Sequence, residues 1–139
     1  VTAEARSRLA RAQGELMRAL AGRGPLPAGF DPARIAVAAR SLDGRRRRFL
    51  RDAWPELCEM LGERFDEVYA GFARARSLPR YGGALADGYA LARHLQSQLG
   101  QEPSRGVRLR MLAIQLRFAE VPGGLLPRGE ESGTPARGA

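Results

Sequence analysis

Few side chains in this sequence could do chemistry: one histidine, one cysteine and a strip of carboxylates. His94 is the sole histidine, and no acid lies within one helical turn to orient it as a general base. It reads as an ordinary surface or satisfied residue. Cys58 is the sole cysteine, which excludes an internal disulfide and a cysteine-built zinc site. Beside Leu57 and Met60 on a short apolar segment, it reads as an inert thiol rather than a nucleophile. Glu56, Glu59, Glu63, Asp66 and Glu67 recur at helical spacings, but without histidines among them they read as a solvated face rather than a metal site. No glycine-rich phosphate loop of the required pattern is present. No catalytic residue, metal ligand or cofactor is therefore expected, and the chain is not expected to be an enzyme.

The remaining functional candidates are cationic and apolar. GRRRRFLR (44–51) places Arg45, Arg46, Arg47, Arg48 and Arg51 around a helix. Successive helical residues are about 100° apart, so the four consecutive arginines fan around most of the circumference and cannot share one phosphate track. Arg48 stands four residues before Asp52, at ion-pair spacing, and Arg47 neighbours Arg51. The run reads first as a solvated face with local ion pairs, and second as a contact surface for an acidic protein or nucleic acid. It offers phosphate contacts with no asparagine for base readout.

The elements that must carry these residues are helical. Residues 3–21 place Leu9, Ala12, Leu16 and Leu20 three and four apart, an amphipathic pattern. GRGPLPAGFD breaks it, and Asp31-Pro32 opens the next helix with a side-chain cap and a proline at the first helical position. That helix carries Ile35, Ala38, Ala39 and Leu42, is expected to bend or pause at Asp43-Gly44, and resumes with Phe49, Leu50 and Ala53 inward. Pro55 disfavours helical geometry at Trp54, so a kink or a new helix is expected there, with the short segment Pro55–Leu61 ended by Gly62. Residues 63–76 turn Phe65, Val68, Phe72 and Ala75 inward, and 84–99 turn Leu85, Tyr89, Ala92, Leu95 and Leu99 inward. Trp54, Phe65, Val68, Phe72, Leu85 and Tyr89 form the expected core. A last helix is expected over about 104–120. Beyond it, residues 121–139 are rich in glycine and proline and poor in apolar residues, and are expected to be disordered. No segment shows strand alternation. The expected fold is all-α, a bundle of five to seven helices in one domain spanning 1–120.

That last helix is apolar on two sides. Val107, Met111, Ile114 and Phe118 make one stripe; Leu109, Leu112 and Leu116 make another, nearly opposite. One must face the core and the other needs cover. The first stripe holds the larger and more flexible side chains, so it is expected to meet a partner chain, while the leucines face the core.

A chain of 139 residues is long enough for one real core. No apolar run approaches the roughly 20 residues that cross a bilayer, and the first residues do not read as a signal peptide. A cytoplasmic location and no membrane partner are the expectations. The net charge is +8, and all 23 basic residues are arginine. The excess is concentrated in residues 1–62, with 12 arginines against 7 acids. Such a charge favours acidic surfaces without choosing one.

The succession PLPAGFDPARIAVAAR, WPELCEMLGERFDEVYAGFARA and LPRYGGALADGYALARHL resembles the N-terminal domain of the HvfC/BufC family, over about residues 10–120. The shared elements are Phe30-Asp31-Pro32, Trp54-Pro55, Leu61-Gly62, Phe65 and Tyr81-Gly82. The resemblance implies a bacterial helical domain, often labelled DNA-binding, that accompanies a multinuclear iron-dependent oxidase modifying ribosomally made peptides. It implies a non-catalytic adaptor that binds that enzyme, its precursor peptide, or both. Two departures stand out: no counterpart of the second domain of full-length members is expected within these 139 residues, and SLDGRRRRFLRD replaces the more polar turn usual there. The expected function is thus an interaction module with a protein partner. The alternative is a DNA-binding protein using Arg45–Arg48, and a homodimer is a further candidate assembly.

Overall fold

The computed structural model describes residues 2–21 and 23–129. Six α-helices, one 3-10 turn and one β-hairpin make up the described chain: α1 Ala3–Leu20, α2 Pro32–Ala53, α3 Pro55–Leu61, a 3-10 turn Gly62–Arg64, α4 Phe65–Ala75, α5 Gly83–Gln98, α6 Arg105–Arg117, β1 Phe118–Val121 and β2 Gly124–Pro127. The fold class is thus all-α apart from the hairpin, within the expected helix count. The chain divides within α2 into two units, residues 1–48 and 49–139.

Helix starts follow the capping chemistry written in the sequence. Thr2 Oγ1 accepts from the Ala5 amide at 3.2 Å, Asp31 Oδ1 from Ala33 at 3.0 Å, and Ser104 Oγ from Val107 at 3.3 Å. Each satisfies an amide that the first helical turn leaves unpaired. The expected pause at Asp43-Gly44 does not occur, and α2 runs unbroken until Trp54 and Pro55 end it. Gly62, with φ 52°, closes α3 as expected.

In the first unit, none of the described residues is buried. In α1 the stripe is half-open: Leu16 and Leu20 are partly covered, while Leu9 is exposed. Leu42 is exposed on α2.

The second unit holds the core. Leu50, Trp54, Leu57, Leu61, Phe65, Tyr69 and Phe72 pack with residues of α5 and α6. Of the expected core set, Trp54, Phe65, Phe72 and Tyr89 are buried, and Val68 and Leu85 are partly buried against them. Tyr69 is buried where the α4 spacing pointed to Val68, a small rotation of that helix. Phe49 and Leu99, read as inward, are exposed. Trp54 Nε1 donates to the Leu85 carbonyl at 3.0 Å, and Gly88 lies flat against the indole, where a Cβ would collide with the ring.

The end of the chain differs from the sequence expectation. The last helix stops at Arg117, and residues 118–127 form an antiparallel hairpin with Phe118 opposite Pro127 and Val121 opposite Gly124. Pro122 and Gly123 (φ 94°) make the two-residue connection, a Pro-Gly pair of the kind a type II turn favours. An isolated two-stranded hairpin is marginal in water. Here Leu125 is buried in the core, and Tyr81 exchanges backbone hydrogen bonds with Gly123 and Leu125 at 3.1 and 3.2 Å. The expected disorder of residues 121–139 is therefore corrected for 121–127, and residues 130–139 lie outside the described residues.

Candidate interaction surfaces

The α6 stripes are assigned the other way round from the sequence reading. Val107, Met111 and Ile114 are 0, 6 and 4% exposed, and Phe118 is half-buried on the same core. They are closed off by the chain itself and do not form a partner surface. Leu109, Leu112 and Leu116, read as core, are 55, 51 and 80% exposed. The phase is set from the covered side: α6 packs on α3 and carries β1. Arg110 also reaches back to Glu56 on α3, its Nε and Nη2 lying 3.1 and 2.6 Å from Oε1. That pair anchors the arginine beside Trp54, with the guanidinium carbon 6.0 Å from the ring centroid. Arginines one turn before apolar residues occur on both sides, Arg105 before Leu109 and Arg108 before Leu112 but also Arg110 before Ile114, so this spacing does not choose the outward side.

Pairing divides the arginine run. Arg47 Nη2 is 2.8 Å from Asp43 Oδ2, one turn earlier, and Arg51 Nη2 is 2.8 Å from Asp66 Oδ1. Arg51 also lies over the Phe65 ring, 4.8 Å from its centroid. These pairs form instead of the expected Arg48–Asp52 pair. Arg45 and Arg48 are exposed, while Arg46 and Arg47 are partly covered. Within the run, Arg47 and Arg51 are thus ion-paired, with partners other than the one the sequence spacing pointed to.

Of the other chemistry-bearing residues, His94, Glu56 and Asp66 have structural partners. His94 is half-buried, its ring tilted at 59° against Phe72 with centroids 5.6 Å apart. Burial pushes the Cys58 thiol up from its ordinary value, against the opposing pull of Arg51, which disfavours the thiolate a nucleophile needs. For Glu56, burial works to raise the carboxyl, but the hydrogen bond and charge of Arg110 prevail and hold it below the ordinary value. The acidic strip is thus partly tied up in Glu56–Arg110 and Asp66–Arg51. Among the described residues, no group of three or more histidine, cysteine or acidic side chains could hold a metal ion. No described helix is long and apolar enough to cross a membrane.

One polar cleft escaped the sequence reading. Tyr89 and Arg93 of α5, Gln115 of α6, Glu120 and Arg128 line a half-open space of about 240 Å³. Gln115 Nε2 donates to Tyr89 Oη at 3.1 Å, Arg128 Nε donates to the Gln115 carbonyl at 2.8 Å, and Arg93 lies 3.9 Å from Glu120. It depends on the hairpin, so no local pattern could announce it.

Fold and surfaces define a small, basic helical module whose most distinctive open feature is an apolar helix face. The chain belongs to the family described as SCO6045-like, C-terminal domain, which matches residues 10–97, more than half its length. It is 38% identical over 91 residues, 66% of the chain, to a UPF0276 protein of Streptomyces avermitilis. That match covers only 18% of the relative, so this module corresponds to a small part of a much longer protein. No solved structure matches the chain.

Proposed function

We propose that this chain is a non-catalytic interaction module, an adaptor that docks on a larger protein. The observation that carries the reading is the company its relatives keep. The matching family is described as a C-terminal domain, and more than four fifths of the UPF0276 relative lies outside the match. A small module found joined to a much larger remainder is placed to work against it, and the same contact can be made within one chain or between two. The HvfC/BufC resemblance supplies the finer identity: the partner is a multinuclear iron-dependent oxidase or its precursor peptide. The open leucines of α6 support a protein partner. The nucleic-acid reading has less support, since Arg47 and Arg51 already face Asp43 and Asp66.

The test is to produce the part of the Streptomyces avermitilis relative outside the match as a separate chain. This protein is then titrated into it by calorimetry, with size-exclusion chromatography alongside. A saturable one-to-one complex is expected. Absence of heat and of co-elution with a monodisperse, folded preparation would overturn the adaptor reading.

A further inference from the structure

Helix α6 carries Leu109, Leu112 and Leu116 outward at i, i+3 and i+7, the spacing of a coiled-coil seam. Its opposite side is already in the core, so the helix is held rigidly while the seam stays open. Two exposed arginines lie at its first turn, and Arg117 lies at the far end. Arg105 continues the line of the seam one turn before Leu109, and Arg108 stands beside it, one turn before Leu112. Both are exposed, neither forms an ion pair among the described residues, and α6 contains no acid. The positive end of the helix dipole falls at that first turn.

We propose that this face docks an amphipathic helix of a partner protein whose apolar seam is flanked by carboxylates opposite Arg105 and Arg108; this rests on the adaptor reading and names the surface that would serve it. Charge chooses the occupant. A second copy laid antiparallel would bring Arg105 and Arg108 towards Arg117 of its mate, and a parallel one would bring Arg105 against Arg105. No acid on α6 relieves either arrangement. An acidic partner satisfies both the leucines and the arginines, and a helix is the shape that seats on such a seam.

The probe is a synthetic amphipathic helix of about 20 residues with leucines at seam spacing and flanking glutamates; its control carries lysine at each glutamate position. Fluorescence anisotropy at low salt should show saturable binding of the acidic peptide to the intact chain. Binding of the lysine peptide should be weaker by at least about tenfold. Leu112→Glu with Leu116→Glu should abolish binding, and Arg105→Glu with Arg108→Glu should reverse the preference between peptides. Leu116→Ser alone, at the most exposed of the three positions, should still weaken binding if the double variant fails to fold. Equal binding of the two peptides, or no binding, would overturn the proposal. So would a wild-type dimer that Leu116→Glu dissociates in sedimentation, or capture by phosphatidylserine vesicles without binding of the peptide. If the acidic peptide binds but the remainder of the Streptomyces relative does not, the surface stands and the adaptor reading fails. If that remainder binds wild type and the leucine variants equally, the surface fails and the adaptor reading stands.

Discussion

Trp54 ties three helices together at the scale of single residues. It ends α2, its indole donates to the Leu85 carbonyl of α5, and Arg110 of α6 lies over its ring. Gly88 allows this close approach, because any Cβ there would meet the indole. A rigid ring between a backbone and a core cannot retreat, so Gly88→Ala should destabilise by about 1–3 kcal/mol, as overpacking does elsewhere. Chemical denaturation with an unchanged m-value would check it, and an unchanged midpoint would show that the ring has room. The Glu56–Arg110 pair adds a dependence on pH. The native carboxyl lies below its ordinary value of 4.5. Its contribution is therefore fully present above that value and is lost as pH falls through the lowered native one. Glu56→Gln should flatten the acid limb of the stability curve. Side-chain exposures of 36% for Arg110 and 26% for Glu56 keep the effect to about 1 kcal/mol or less. Equal acid sensitivity in the variant and wild type would remove the pair from the account.

Among the elements, the two faces of α6 are the decisive contrast. Met111→Glu puts a charge among buried apolar groups and should unfold the second unit, whereas Leu116→Glu places the same charge in water and should cost about 0.5 kcal/mol or less. Circular dichroism melts of the two variants check this directly. Similar melts would mean that the helix phase is wrong. Helix starts were legible in the sequence because Asp31-Pro32 and Trp54-Pro55 act locally through a cap and a fixed ring. The phase of α6 was harder to read, since both stripes offer three or more large apolar residues and the choice belongs to α3 and the hairpin. Arginine alignment does not decide it either, since Arg110 stands one turn before the buried Ile114 just as Arg108 stands before the exposed Leu112. The hairpin was missed for a related reason. Strands of four residues are too short to show alternation, and Pro122-Gly123 has the composition of a tail as much as of a turn. Its stability comes from Leu125 and Tyr81, contacts distant in sequence. The polar cleft beside it was hidden with it.

On the scale of the whole molecule, burial and charge are unevenly distributed along the chain. Every described buried residue belongs to the second unit, and none to α1. Amide exchange should therefore be slowest in α5, with its seven buried residues, and fast in α1. Comparable protection of α1 would show that its leucine stripe is covered in solution. The arginine excess of the first half poses the remaining question, because a charge of +8 draws any protein towards DNA. Such attraction is read through salt: each neutralised phosphate releases counterions, so affinity falls steeply as salt rises. Arg45 and Arg48 are exposed and able to contribute, whereas Arg47 and Arg51 are engaged with carboxylates. Because the run is fanned around its helix, these side chains cannot all enter one groove, and they supply charge rather than a shared pattern of base contacts. Binding to duplex DNA should thus be weak near physiological salt and indifferent to sequence. Replacing Arg45, Arg46 and Arg48 with glutamine should lower it uniformly and flatten the salt slope. A nanomolar complex that distinguishes one duplex from another in a gel-shift titration would overturn this expectation and bring the DNA-binding alternative ahead of the adaptor.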